Sequence, residues 1–266
     1  MPEVTGATRV FAIVADPVAH VKTPEVINTH LAKAGYDGIL VPFHAAPLDL
    51  PAAFDAFRRF RNVGGFIVTV PHKSAALSLC DEVSPLARRV GAVNCVRRDP
   101  DGRLVGTMLD GTGFVDGLRG QGEDPVGQTV YLAGAGGAAS AIAFALCEAG
   151  VARLVVANRS AAKRDDLIAR LSEHYPAAVV TSEGRVAEAD LVVNGTSLGL
   201  RPEDPSPIDK DDLAPGQIVA EVVMQPALTP LLLAAQAKGC RIHSGRHMLE
   251  AQAAAMVAHM TAGTER

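Results

Sequence analysis

Between Thr129 and Ala157 a short apolar run leads into Gly134-Ala135-Gly136-Gly137-Ala138-Ala139. An alanine-rich stretch follows, closed by Gly150, and then a second apolar run. The spacing of Gly134, Gly136 and Ala139 fits the G-x-G-x-x-G/A pattern of a strand–loop–helix unit that receives a dinucleotide. The first glycine makes the tight turn, the second lets a pyrophosphate approach the backbone, and the small third residue lets helix and strand pack closely. The helix start at Gly137 and Ala138 adds unpaired N–H groups and the positive end of the helix dipole. The next run ends in Ala157-Asn158-Arg159-Ser160, with Lys163 one turn on. An NAD site usually offers a carboxylate here to the ribose 2′-hydroxyl. This chain offers two cations instead, which suit a 2′-phosphate, so the expected cofactor is NADP.

A second set of polar residues lies earlier in the chain. It comprises Thr69 and Lys73 within Val68-Thr69-Val70-Pro71-His72-Lys73, Asn94 in Gly91-Ala92-Val93-Asn94, and Asp110 in Asp110-Gly111-Thr112-Gly113. Taken singly, each has a plain reading as a solvated lysine, a turn-capping asparagine or an Asp-Gly turn. Together they place a Lys, a Thr, an Asn and an Asp at strand ends or strand–helix junctions, where open α/β sheets bind ligands. His243 and His247 are four residues apart, but Gly245 lies between them. No metal site is expected.

The elements that must position these residues follow from periodicity. Strands are expected at Arg9–Val14, Gly38–Pro42 and Gly65–Val70, with helices at Thr23–Lys33 and Leu50–Phe60 between them. Thr23 reads as an N-cap with Pro24 at the first helical position. Ala92–Arg97 and Leu104–Thr107 flank Asp99-Pro100-Asp101-Gly102 and predict a hairpin. A second α/β series is expected after Gly127, with strands at Thr129–Ala133, Arg153–Ala157, Ala178–Thr181, Asp190–Asn194 and Ile218–Val222. Its helices are Ala138–Ala149, Ala161–Ser172, one opened by the Thr229-Pro230 cap signal, and a last one at His247–Met260. The fold class is therefore α/β, with an N-terminal α/β domain over about 1–110 and a Rossmann-type dinucleotide-binding domain over about 111–244. Pattern alone leaves the last helix to either.

Bulk properties bound the function classes. The 266 residues suffice for two cores, and a net charge of −4 with no long basic run disfavours nucleic acid or an anionic membrane as partner. Arg58, Arg59 and Arg61 read as a solvated helix face. The four cysteines Cys80, Cys95, Cys147 and Cys240 are scattered through apolar neighbourhoods and read as buried free thiols, which fits a reducing compartment. The N-terminus lacks the basic region of a signal peptide, and the longest uncharged stretch near the glycine loop is too short to span a bilayer. A cytoplasmic protein is expected.

Eight segments in order make the chain resemble shikimate dehydrogenases over nearly its whole length. They are Asp16–Pro24, Ile67–Lys73, Gly91–Asn94, Met108–Gly113, Gly134–Ala138, Asn158–Ser160, Asn194-Gly195-Thr196-Ser197-Leu198-Gly199 and Met248-Leu249-Glu250-Ala251-Gln252. The resemblance implies a substrate domain followed by an NADP domain, with the C-terminal helix 245–266 returning to the first. Lys73 is then the acid/base group, with Asp110 beside it, and Thr69, Asn94 and Gln252 bind ring hydroxyls. The same resemblance gives the cofactor Gly134 to Ala138, Asn158, Arg159, Ser160, Lys163, Thr196 and Ser197, with Val222, Gly245 and Met248 lining the nicotinamide. The implied reaction interconverts a ring alcohol and a ketone on a small ring hydroxy acid, shikimate or a close analogue, by hydride transfer to NADP. A monomer or homodimer is expected.

The departures concern the substrate. Val21 stands where the family has a first pocket serine, Thr23 where it has a second, and Met224 where it has a tyrosine. In the family those three hydroxyls hold the substrate carboxylate. Ile67, Met108 and Leu109 also replace polar residues of the pattern, and Glu221 opens the segment that ends in Met224. Two other readings stay open: a non-catalytic NADP-binding regulatory protein, and a quinate- or aminoshikimate-type dehydrogenase.

Overall fold

The computed structural model describes residues 3–201 and 203–262. The chain divides into two compact units. One runs up to Leu109 and resumes at Gln252, and the other is Asp110–Ala251.

The first unit is built on β1 (Arg9–Ala15), α1 (Thr23–Lys33), β2 (Gly38–His44), α2 (Leu50–Arg59) and β3 (Val63–Val68). These are followed by α3 (Lys73–Leu79), β4 (Glu82–Val83), α4 (Pro85–Val90), β5 (Cys95–Arg98) and β6 (Leu104–Thr107). The six strands form one sheet in the order β2-β1-β3-β5-β6-β4. Strands β1, β2 and β3 are parallel, while β5 runs antiparallel to both β3 and β6. That reversal brings the end of β3, the start of β5 and the end of β6 to one edge. Helix α2 is amphipathic, burying Leu50, Phe54 and Phe57 at helical spacing. Phe54 meets Phe66 of β3 edge-on at 4.8 Å, and each such buried ring is worth about 1.5–3 kcal/mol.

The second unit contains α5 (Asp110–Gly120), β7 (Thr129–Ala133), α6 (Gly137–Ala149), β8 (Arg153–Ala157), α7 (Ala161–His174) and β9 (Val179–Thr181). It continues through β10 (Leu191–Asn194), β11 (Ile218–Glu221), α8 (Pro230–Ala237), β12 (Arg241–His243) and the first turns of α9 (Gly245–Thr261). Its strands are all parallel, in the order β12-β11-β10-β7-β8-β9. Read from the other edge, this is the doubly wound Rossmann order, with its switch point between β7 and β10.

Several expectations need correction. Thr23 is not an N-cap. It is the first helical residue and is buried, while Lys22 precedes the helix and pairs with Glu25 at 3.1 Å instead of capping. Arg58 is not a free member of a solvated face, because it pairs with Asp81 and donates to the Leu79 carbonyl at 2.9 Å. Cys80 is only half-buried. The hairpin strand begins at Cys95 rather than Ala92, since Ala92–Asn94 turn into it from α4. Strand β3 starts and stops two residues before expectation, which leaves Thr69 and Val70 in the loop. Strand β2 runs on past Pro42 to His44, as Pro42 lies on the sheet's outer strand.

Helix α5 went unexpected because its glycines argue against a helix. A Cβ on Gly111 would overlap the Ala141 carbonyl of α6, so glycine there permits the helices to close. Helix α9 is divided at Gln252 between the two units, and Asp110 groups with the second. The Thr229 cap holds, as its hydroxyl accepts from Leu232 N at 3.2 Å.

Candidate active site

At the carboxyl edge of the first sheet, hydrogen bonds gather four of the singled-out residues. Thr69 follows β3 directly, its N–H donating to the Val14 carbonyl at 3.0 Å. Lys73 opens α3, and its carbonyl accepts from Val93 N at 2.9 Å. Asn94 is buried, and its backbone is stitched to both neighbouring strands through Val68 N and the Thr107 carbonyl. Its side chain accepts from Leu109 N at 2.9 Å and donates to Gln252 Oε1 at 3.3 Å. The Gln252 side chain is also buried.

The apolar replacements sit among these groups. Val21 and Leu109 are partly buried against the core that contains Ile67. Met108 is fully buried, and Thr23 is 4% exposed. Sequence reasoning missed His44, whose Nε2 lies 2.8 Å from Asp16 Oδ1 where β1 and β2 end. A polar residue closing each of two parallel strands is the signal that could have found the pair.

In the second unit the switch point is shaped by backbone. Gly134 takes φ +125, a conformation that favours glycine, and a Cβ there would stand 3.1 Å from Ala139 Cβ and 3.2 Å from the Gly195 carbonyl. Gly195 is equally closed, its Cβ position being 2.8 Å from Ala139 Cβ. Gly136, by contrast, has nothing within 4 Å of that position. The glycine loop is thus packed behind and open in front of α6, where the free N–H groups of Gly137 and Ala138 begin the helix. The residues present fit a pyrophosphate.

At the end of β8, Asn158 Nδ2 donates to the Ser160 carbonyl at 3.0 Å. Ser160 itself caps α7, its hydroxyl accepting from Lys163 N. Arg159 and Lys163 are exposed and form no ion pair among the described residues, so both cations are available to an anion. At the end of β10, Asn194 binds Thr196 through its N–H at 3.0 Å and its hydroxyl at 2.7 Å. That fixes Thr196 and exposes Ser197.

After β11, half-buried Val222 and Met224 flank buried Val223. A Cβ on Gly245 would overlap the Val222 carbonyl, so the start of α9 closes on this segment, and Met248 is buried one turn later. Asp110 opens α5 and is 2% exposed.

Two further buried polar residues of this unit were not given a role by sequence reasoning. Glu221 is fully buried, and burial pushes its carboxyl up to about 7. His243 is 2% exposed, neither ring nitrogen has a hydrogen-bond partner among the described residues, and burial holds it down at about 4, helped by His247 alongside. Among the described residues no group of three potential metal ligands occurs.

Two family models match the chain: the shikimate dehydrogenase substrate binding domain over residues 13–96, and shikimate/quinate 5-dehydrogenase over residues 120–200. The NADP(+) shikimate dehydrogenase of Moorella thermoacetica is 39% identical over 263 residues, covering 96% of this chain and 88% of that protein. The chain belongs to the shikimate dehydrogenase family. Among solved structures of the family, the Thermus thermophilus shikimate 5-dehydrogenase in complex with NADP(H) and shikimate superposes with a TM-score of 0.84. It is 33% identical, over 96% of this chain and 94% of that one. The ligand-free 5-ketofructose reductase of a Gluconobacter strain matches with a TM-score of 0.79 at 30% identity, over 94% of this chain and 92% of that one. Family membership makes the chain an oxidoreductase with a Rossmann unit, and the regulatory-protein reading is not favoured. No helix among the described residues is long and apolar enough to cross a membrane.

Proposed function

We propose that the chain interconverts a ring alcohol and its ketone, on shikimate or a close analogue, with NADP as hydride partner. The observation that carries the reading is the first sheet's carboxyl edge, where Lys73 is tied through Val93 to the buried Asn94–Gln252 pair. In this reading the first unit holds the substrate and the second the cofactor. The Thr69 hydroxyl and the carboxamides of Asn94 and Gln252 present donors and acceptors to ring hydroxyls and fix which carbon reacts. Lys73 Nζ takes the hydroxyl proton as the alcohol is oxidised and returns it in the reverse direction, and Asp110 supports that role.

NADP, when bound, supplies the acceptor for the hydride. Gly134 to Ala138 hold its pyrophosphate, Arg159 and Lys163 its 2′-phosphate, and Asn158 and Ser160 shape the loop between them. Thr196 and Ser197 meet the dinucleotide, while Val222, Gly245 and Met248 form the wall for the nicotinamide. Val21, Thr23 and Met224 belong to the substrate side, where only Thr23 keeps a hydroxyl. The chain acts as a monomer or homodimer in the cytoplasm, on a small molecule and without nucleic acid.

A structural relative named for 5-ketofructose gives weight to a second reading, an uncharged polyhydroxy ketone in place of a ring acid. Val21 and Met224 are the residues that favour it, since neither can donate to a carboxylate. The test is a screen of NADP reduction with shikimate and quinate, and of NADPH oxidation with 3-dehydroshikimate and 5-ketofructose. Turnover of none of these by a folded, NADP-binding protein refutes the proposal. Preference for the uncharged ketone replaces the substrate and leaves the chemistry.

A further inference from the structure

Glu221 closes β11 with a carboxyl wholly out of water. A hydrophobic residue would end this strand at no desolvation cost, so a buried carboxyl here needs a reason. Its Oε2 accepts from the Thr229 hydroxyl at 3.0 Å and from Asn194 Nδ2 at 3.5 Å, and Oε1 has no hydrogen-bond partner among the described residues. Both partners are themselves connectors. Asn194 Nδ2 also donates to the Leu198 carbonyl at 3.0 Å, and its Oδ1 takes both donors of Thr196. Thr229 caps α8, and its methyl lies 3.4 Å from where a Cβ on Gly199 would stand. The Asn194–Gly199 turn is therefore held at its start by Asn194, and Thr229 lines the place where it ends at Gly199. Among the described residues, Glu221 alone accepts from both side chains. The same turn packs on the glycine loop through Gly195, whose N–H donates to the Ala133 carbonyl at 2.8 Å.

We infer that Glu221 is a positioning residue for the cofactor, acting through Asn194 and Thr229 to hold the Asn194–Gly199 turn in the shape that receives the dinucleotide. This rests on the reading that Thr196 and Ser197 meet NADP. The arrangement suits a neutral carboxylic acid, because its partners among the described residues, Thr229 and Asn194, are uncharged. Strand β10, helix α8 and residues 194–199 carry no charged side chain. Beyond the turn, Asp204 is engaged by the N–H groups of Gly199 and Arg201. From β12, Arg241 is exposed and paired with Glu123, and His243 stands in register with Ala220, on the opposite face of the sheet. Ionisation of Glu221 thus leaves a buried anion with two neutral partners, and the turn must shift to bring it water or further donors.

The experiment is NADP binding by fluorescence titration from pH 6 to 9, together with KM for NADP and kcat on shikimate, for the parent, Glu221→Gln and Glu221→Ala. In the parent, the Kd for NADP stays level below pH 7 and then rises, by at most about tenfold per pH unit, the limit for one linked proton. Glu221→Gln keeps an oxygen for Thr229 and Asn194 and cannot ionise. It should match the parent below pH 7 and stay level above it. Glu221→Ala should raise Kd and KM for NADP by about 5- to 50-fold at every pH while kcat at saturating NADP stays within about threefold, as two buried partners are released. An alkaline rise that persists in Glu221→Gln overturns the inference, whether or not Glu221→Ala folds. So does a folded Glu221→Ala that binds NADP as the parent does. If Arg159→Ala loses NADP while both Glu221 variants behave as the parent, the cofactor site stands and only the role of Glu221 falls. A parent that binds no NADP overturns both.

Discussion

The two carboxyl edges of this molecule are built on different principles. At the Rossmann edge the surface is set by main chain: a Cβ on Gly134 or Gly195 would come within 3.2 Å of Ala139, and Gly136, just before α6, faces open space. At the first sheet's edge the surface is set by side chains borne on short elements, with Asn94 and Gln252 hydrogen-bonded and Val21 and Leu109 packed beside the core. A site made of backbone tolerates few substitutions where it is closely packed, since a Cβ at Gly134 or Gly195 intrudes. A site made of side chains changes its ligand one residue at a time without disturbing the sheet beneath. The chain's departures from its family's pattern fall on the side-chain-built edge and on the segment from Glu221 to Met224, while the glycine loop stays intact.

The sharpest way to break this comparison is to remove the group assigned to chemistry. Lys73→Ala should lower kcat by about 10²- to 10⁴-fold, the usual worth of a positioned acid/base. It should leave the Kd for NADP unchanged by fluorescence or calorimetry. Parent-like turnover would place proton transfer elsewhere, and a parallel loss of NADP affinity would mean that the two edges do not divide the labour.

On the Rossmann edge the corresponding change is Arg159→Ala. A charge-assisted contact to a 2′-phosphate is worth roughly 1.5–3 kcal/mol, so NADP should weaken by about 10- to 150-fold. NAD, which lacks that phosphate, should change little. Equal losses for both cofactors would refute the assignment.

Reversing the departures tests the first edge again. In the family, hydroxyls at the positions of Val21 and Met224 hold the substrate carboxylate. Lys22, the nearest cation in sequence, is engaged by Glu25 and offers no ready substitute. Val21→Ser with Met224→Tyr should therefore raise kcat/KM for shikimate by about tenfold or more, the worth of one charged hydrogen bond. No gain in a folded, NADP-binding double variant would favour an uncharged substrate.

The same contrast explains what was legible in the sequence. The glycine loop, the missing carboxylate after β8 and the Thr229-Pro230 cap are local signals whose meaning is fixed within a few residues, and the strands around them are short, mostly apolar runs. Helix α5 was not legible, because its glycines read as helix breakers until Gly111 is seen against the Ala141 carbonyl. Nor was the short α4, whose Pro85 start and Ser84 cap span a single turn and a half of helix. Asn94 could be singled out by type, but its pairing with Gln252 spans 158 residues and depends on where α9 lands. Glu221 and His243 gain significance only from burial and from partners, or the lack of them, on other strands.

The smallest expected effect concerns how these last two residues share the pH dependence of stability. His243 is held down at about 4 in the folded chain against an ordinary 6.5. Between those values the unfolded chain binds a proton that the folded chain refuses, so this residue makes stability rise with pH and fall as the medium is acidified. Glu221 is pushed up to about 7 from 4.5. Between those values the folded chain binds the proton that the unfolded one releases, so its contribution is complete below 4.5 and is lost as pH rises through 7. Each slope is at most about 1.4 kcal/mol per pH unit. The two oppose each other over the overlap from about 4.5 to 6.5, so they largely cancel in the parent.

Single substitutions should uncover them. Relative to the parent, Glu221→Gln should gain stability more steeply as pH rises through that window, and His243→Phe should lose it. By thermal melts in matched buffers, the two variants should diverge from the parent in opposite senses by a few degrees across the window, given about 2–4 °C per kcal/mol for a chain of this size. Because each variant is read as a difference from the parent, the slopes from other titrating groups drop out. Parallel melting curves for all three proteins would show that neither buried group keeps the protonation state its burial imposes.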